Sequence, residues 1–151
     1  ALKIPTLAIC FGHQLAAKFL GAEVIRDDNQ YEMGTVNVSL NNHGKRSEIF
    51  QNIPPTFSVV TSHKDSVKHL PSGAQLLASS DRCLIQSFQF GNFLYTTQFH
   101  PELTHEDLLW RLQLYPEYQN GKHIEQVKES LMNVTEAPKI LANFANYITF
   151  R

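Results

Sequence analysis

The sequence predicts an α/β fold, and three observations carry that prediction. A short apolar run at Pro5 to Ile9 passes into a helical pattern with only Cys10 between them. Two β-rich runs meet at Gly91-Asn92, and a largely helical stretch follows them. Strands and helices mixed along one chain in this order make an α/β domain, with the first strand of the type buried on both faces of a parallel sheet.

Each element follows from its own pattern. From Gly12 the residues HQLAAKFLG are mostly good helix formers, Leu15, Phe19 and Leu20 share a face at helical spacing, and Gly21 is suited to end the helix. Val36, Val38 and Leu40 alternate with polar residues, the period of a half-exposed strand, and Asn41-Asn42-His43-Gly44 closes it as a turn. FSVVTS, Phe57 to Ser62, predicts a buried strand running into a polar loop at His63-Lys64-Asp65. Leu84 to Phe90 and Phe93 to Phe99 predict a hairpin about Gly91-Asn92 that ends at His100-Pro101-Glu102. Thr104 with Asp107 resembles a capping box and opens a helix through about Leu114. Two further helices are predicted near His123 to Met132 and from Pro138 to Phe150, the last with Leu141, Phe144, Ala145 and Ile148 as its apolar stripe. No repeat, low-complexity tract or linker interrupts the pattern, so residues 1–151 are expected to form a single domain.

Composition narrows the function classes. The chain has 151 residues, 42% hydrophobic and 18% charged, enough to bury one core. A formal charge of −1 with scattered lysines and arginines offers no basic stripe for nucleic acid. No apolar run approaches the length that spans a bilayer, and no charged leader precedes a cleavage site, so a cytoplasmic location without membrane contact is expected. Cys10 and Cys83 do not make a disulfide framework, which suits a reducing compartment. His13, His43, His69, His105 and His123 lack metal-ligand spacing, and no glycine-rich phosphate loop is present. Neither a metal site nor a cofactor is predicted. Cys83 reads as core packing, and the aromatic residues between Phe88 and Phe99 as ordinary strand packing.

The chemistry concentrates at two places. Ala8-Ile9-Cys10-Phe11-Gly12 has the form small-x-nucleophile-x-Gly between a strand and a helix, a tight turn that thrusts the nucleophile outward and needs small neighbours two residues away. The helix start behind it favours negative charge on sulfur and on a reacting oxygen. His100 and Glu102 stand two apart after a strand, so in extended chain both project to one side and the carboxylate can orient the imidazole. Pro101 between them stiffens the backbone. Reactive groups gather beyond the carboxyl ends of parallel strands, which is where Cys10 and His100 both fall.

AICFGHQ followed much later by QFHPE resembles the class I glutamine amidotransferases, a family with a Cys-His-Glu triad. YEMGTV, TSHKDSV and QFHPELTH, in that order, are most similar to the glutaminase domain of the GMP synthase type and its stand-alone relatives. The likeness covers roughly Pro5 to His105. It implies a flavodoxin-like three-layer sandwich with a mostly parallel central sheet and a small antiparallel hairpin region. It further implies Cys10 as nucleophile, His100 as acid and base, Glu102 as its orienting carboxylate, and the N–H of Phe11 as an oxyanion donor. Gln14 and the backbone of Ser62 and His63 match the positions that hold the substrate glutamine.

Members of the family begin with a strand and a glycine-bearing loop upstream of the nucleophile that supply a second oxyanion donor. This chain starts nine residues before Cys10, so the resemblance implies an N-terminally truncated domain with an exposed sheet edge. Ala8 stands where the family often has Gly. The resemblance implies glutamine as substrate and an ammonia-accepting synthetase as partner. A stand-alone hydrolase or transferase of other γ-glutamyl compounds is an alternative, and a non-catalytic fragment or regulatory domain is another.

Overall fold

The computed structural model describes residues 3–115, 125, 128, 129 and 131–150. Among the described residues, eight strands, β1 (Thr6–Ile9), β2 (Val24–Arg26), β3 (Glu32–Leu40), β4 (Thr56–His63), β5 (Asp65–Val67), β6 (Ala74–Ser79), β7 (Ser87–Phe90) and β8 (Leu94–Thr97), combine with the helices α1 (Phe11–Phe19), α2 (His105–Leu114) and α3 (Lys139–Thr149). The helix expected near His123 to Met132 lies mostly outside the described residues. No described helix is long and apolar enough to cross a membrane.

Six strands form one sheet in the order β1-β8-β7-β6-β3-β4, and β2 pairs with β5 in a separate two-stranded ribbon. The α/β class holds, but the mostly parallel sheet does not. Only β1 and β8 run parallel, with Ile9 opposite Thr97; the other four pairings of this sheet are antiparallel. The reason is connectivity: parallel neighbours need a crossover, usually helical, whereas from Glu32 to Thr97 the chain makes only two 3₁₀ turns, Gly44–Arg46 and Glu48–Phe50, and no α-helix.

Both sheet faces are covered, as successive residues of β8 show. Tyr95 enters the larger core with Val38, Phe57, Leu108 and Leu112 of α2, and Ile140 of α3. Thr96 faces the other way, and its Oγ1 meets Nδ1 of His13 on α1 at 2.8 Å. A helix layer on each side of a sheet is therefore present, and β1 brings Cys10 to the edge of the layer that holds α1.

Several local expectations hold. Gly91, Asn92 and Phe93 join β7 to β8 in the expected hairpin. The capping box is present, Asp107 N–H donating to Thr104 Oγ1 at 3.2 Å and Thr104 N–H to Asp107 Oδ2 at 2.8 Å. Gly21 ends α1 with φ 89°.

Two helix faces differ from the expected ones. On α1, Leu15 and Phe19 are 56% and 89% exposed, while His13 and Ala17 are buried. Small Ala17 lets the helix approach Phe88 and Val67 closely, so the larger side chains turn outward. Of the stripe expected on α3, Phe144 turns inward while Leu141, Ala145 and Ile148 are exposed, and Ile140 and Tyr147 complete the inward face, because Phe144 and Tyr147 stack edge-on against Tyr95. The expected polar loop at His63-Lys64-Asp65 shrinks to Lys64, since His63 closes β4 and Asp65 opens β5.

Candidate active site

Cys10 sits between β1 and α1 with φ 51° and ψ −103°, a conformation that side-chain-bearing residues seldom adopt. Its N–H donates to the Thr97 carbonyl at 2.7 Å, which carries the β1–β8 ladder one residue past β1. A Cβ built on Gly12 would lie 3.4 Å from the Ala8 Cβ, so the two small residues do face each other across the bend. Phe11 is the first residue of α1, and its N–H is among those that a helix start leaves without an intrahelical acceptor. Its side chain is 73% exposed.

His100 reaches Cys10 from the neighbouring strand's extension. Its N–H donates to the Val60 carbonyl at 2.9 Å, which locks the segment after β8 against β4. Nδ1 meets Glu102 Oε1 at 2.6 Å, and the Cys10 side chain lies close to the imidazole. Burial opposes a charge on the imidazole, but the hydrogen bonds and charges of Cys10 and Glu102 outweigh it and raise the pKa to about 9. Burial likewise opposes the Glu102 carboxylate, and the His100 hydrogen bond and charge prevail, holding its pKa below the ordinary value. The geometry thus brings Cys10, His100 and Glu102 close together, with Glu102 hydrogen-bonded to the imidazole.

The other expected residues divide. Gln14 lies one helical turn after Cys10, and its Nε2 donates to the Asp65 carbonyl at 2.8 Å and to Gln98 Oε1 at 3.2 Å. Ser62 and His100 share the wall of an open cavity of about 670 Å³, with Leu103, Leu108, Trp110 and Arg111 of the α2 region opposite. Its size suits a small ligand, and it meets the triad on the His100 side, Cys10 being outside its lining. The His63 side chain is turned away and buried: Nδ1 contacts the Asp65 carbonyl at 3.1 Å and Nε2 contacts Glu32 Oε2 at 3.2 Å. Only its backbone is available to a ligand.

Two participants escaped the sequence reading. Gln98, fully buried, brings Nε2 to 3.8 Å from Cys10 Sγ. The available signal was its place two residues before His100, the spacing that puts extended residues on one side. Glu32, directly opposite His63 in the β3–β4 register, is the second; it lies within the YEMGTV segment, but nothing there marks it as a partner of His63.

Glu32, His63 and Cys83 place one potential ligand atom each within 4.8 Å of the others, all buried. By composition this is a donor set for a divalent cation. Its lone pairs are already engaged, however: Ser80 Oγ donates to Glu32 Oε1 at 2.6 Å, and Gln86 Nε2 and His63 Nε2 converge on Oε2 at 2.5 and 3.2 Å. Burial, with the Glu32 charge, pushes the Cys83 thiol up to about 12. Both cysteines are free, and Cys83 occupies the loop before β7.

Comparison with known proteins places the sequence among its relatives. Residues 1–108 match the family model of glutamine amidotransferase class-I. The chain is 39% identical over 107 residues to one subunit of the glutamine-hydrolysing GMP synthase of Methanocaldococcus jannaschii, covering 70% of this chain and 54% of that one. It is 37% identical over 106 residues to the glutamine-hydrolysing GMP synthase of Borrelia garinii, covering 70% of this chain and 20% of that one. Among solved structures, a glutamine amidotransferase from Thermotoga maritima superimposes with a TM-score of 0.76 at 26% identity, over 99% of this chain and 64% of its own. The chain thus spans about half the length of the Methanocaldococcus relative and a fifth of the longer Borrelia one.

Proposed function

We propose that this chain, which belongs to the class I glutamine amidotransferase family, hydrolyses the side-chain amide of glutamine through a thioester on Cys10 and releases ammonia. The observation that carries the reading is Cys10 on its left-handed bend, close to an imidazole that Glu102 holds across 2.6 Å. The sulfur attacks the amide carbon, the carbonyl oxygen gathers negative charge beside the Phe11 N–H, and His100 holds the proton that the thiol has given up. As the C–N bond breaks, His100 returns that proton to the departing nitrogen, giving ammonia and a glutamyl thioester. Water then adds to the thioester, its proton passing to His100, and cleavage of the C–S bond frees glutamate.

In this reading Gln14 and the backbone at Ser62 and His63 hold the substrate, and the ammonia passes to a synthetase that accepts it. The likeness to GMP synthases supports that partner class.

Glutamine-dependent ammonia release, together with labelling of Cys10 by a glutamine-like diazo-ketone, tests the reading. Both should vanish in Cys10→Ser. Undiminished ammonia release from that variant would remove Cys10 from the mechanism, and a preference for γ-glutamyl peptides over free glutamine would replace the proposed substrate.

A further inference from the structure

We infer that Gln98 is a positioning residue whose side-chain amide aims an N–H at the Cys10 sulfur with its nitrogen while holding Gln14 with its oxygen. The inference rests on the reading of Cys10 as nucleophile and adds a residue which that reading does not use.

The direction of each amide follows from one group that cannot turn round. The Asp65 carbonyl is an acceptor only, so the Gln14 atom 2.8 Å from it must be the nitrogen. That nitrogen also lies 3.2 Å from the Gln98 amide, which must therefore present its oxygen there. With its oxygen committed, Gln98 has only N–H to offer the sulfur 3.8 Å away. Reversing either amide would set nitrogen against nitrogen or oxygen against a carbonyl oxygen. An amide next to a thiol can stabilise or repel charge on sulfur according to which end faces it; here the backbone of β5 selects the stabilising end.

The far end of the chain is equally constrained. The Asp65 carbonyl also contacts His63 Nδ1 at 3.1 Å, and His63 is held by buried Glu32. Gln98 is itself fully buried, so no solvent competes for its amide. Thus Gln98 couples the orientation of the sulfur to that of Gln14.

The two ends of the amide make separable contributions, and two substitutions separate them. Gln98→Glu keeps the size and the oxygen facing Gln14 but loses the donor to sulfur and adds negative charge; kcat should fall roughly tenfold or more with KM within about twofold. Gln98→Leu removes both ends, and KM should rise together with the loss in kcat. Alkylation of Cys10 by iodoacetamide at neutral pH, read by mass spectrometry, should slow at least roughly threefold in both variants, and it reports on the sulfur independently of glutamine turnover. A purely structural role would lower the melting temperature without this division between kcat and KM. Should Gln98→Leu melt below the assay temperature, Gln98→Met of similar volume takes its place. Wild-type alkylation and kinetics in Gln98→Glu, with Cys10→Ser inactive, would overturn the role of Gln98 alone. Glutamine turnover persisting in Cys10→Ser would instead overturn the nucleophile assignment.

Discussion

His100 Nδ1 and Glu102 Oε1 stand 2.6 Å apart although only Pro101 separates the two residues. The contact commits one ring nitrogen of the imidazole beside Cys10. Its pH window follows from the shifts on both partners. The pKa of Glu102 is lowered, so its contribution to folding is complete above the ordinary 4.5 and fades as pH falls through its depressed value. That of His100 is raised, so its contribution is complete below the ordinary 6.5 and is lost as pH rises through about 9. Both are at full strength between those ordinary values.

Activity should therefore decline as pH rises through about 9, where the imidazolium proposed as the acid disappears. In Glu102→Gln the carboxylate charge that raises the His100 pKa is gone, so this alkaline limb should move down by on the order of one unit, with kcat reduced roughly a hundredfold. A pH profile of kcat for both proteins checks this. An unmoved limb would assign the ionisation to another group.

Cys10 holds φ 51° with a side chain in place, a strain worth roughly 1–3 kcal/mol. Glycine tolerates such φ, so Cys10→Gly should be more stable than Cys10→Ala by about 1 kcal/mol, and neither should hydrolyse glutamine. Urea unfolding of the two variants gives the comparison. Equal midpoints would show that the bend relaxes at no cost.

His13 is fully buried, and burial, with the nearby His63, lowers its pKa to about 3. A histidine depressed in the folded state contributes stability above the ordinary 6.5, and this is lost as pH falls toward 3, on the order of 5 kcal/mol over the full span. His13→Gln retains a donor for Thr96 Oγ1 and does not titrate. It should lose much less stability than the parent between pH 7 and pH 4.5, measured by urea midpoints at the two values; parallel losses would exclude His13 as the cause.

Gly44 turns so close to β6 that a Cβ there would collide with the Leu77 carbonyl oxygen, a backbone atom that cannot swing aside. Gly44→Ala should cost roughly 2 kcal/mol or more, because the same strand ladder carries the Asn41 N–H to Leu77 bond. A melting temperature unchanged from the parent would show that the turn shifts freely.

The sequence by itself determined what is set by neighbours along the chain. The bend at Cys10, flanked by small Ala8 and Gly12, the i to i+2 pair His100 and Glu102, the Gly91-Asn92 hairpin and the Thr104–Asp107 cap all depend on spacing within a few residues, and all were legible. Tertiary structure alone decided what depends on residues far apart in sequence. It set the antiparallel course of most strands, since no helix intervenes between β3 and β8. It chose the Ala17 face of α1 over the Leu15 and Phe19 face, since only the small residue fits against Phe88. It buried the His63 side chain against Glu32, and it oriented Gln98 toward Cys10 through a hydrogen-bond chain that begins at the Asp65 carbonyl. Local steric rules act on a single stretch of chain, whereas the polarity of that chain exists only once β1, β5, α1 and the segment after β8 have met.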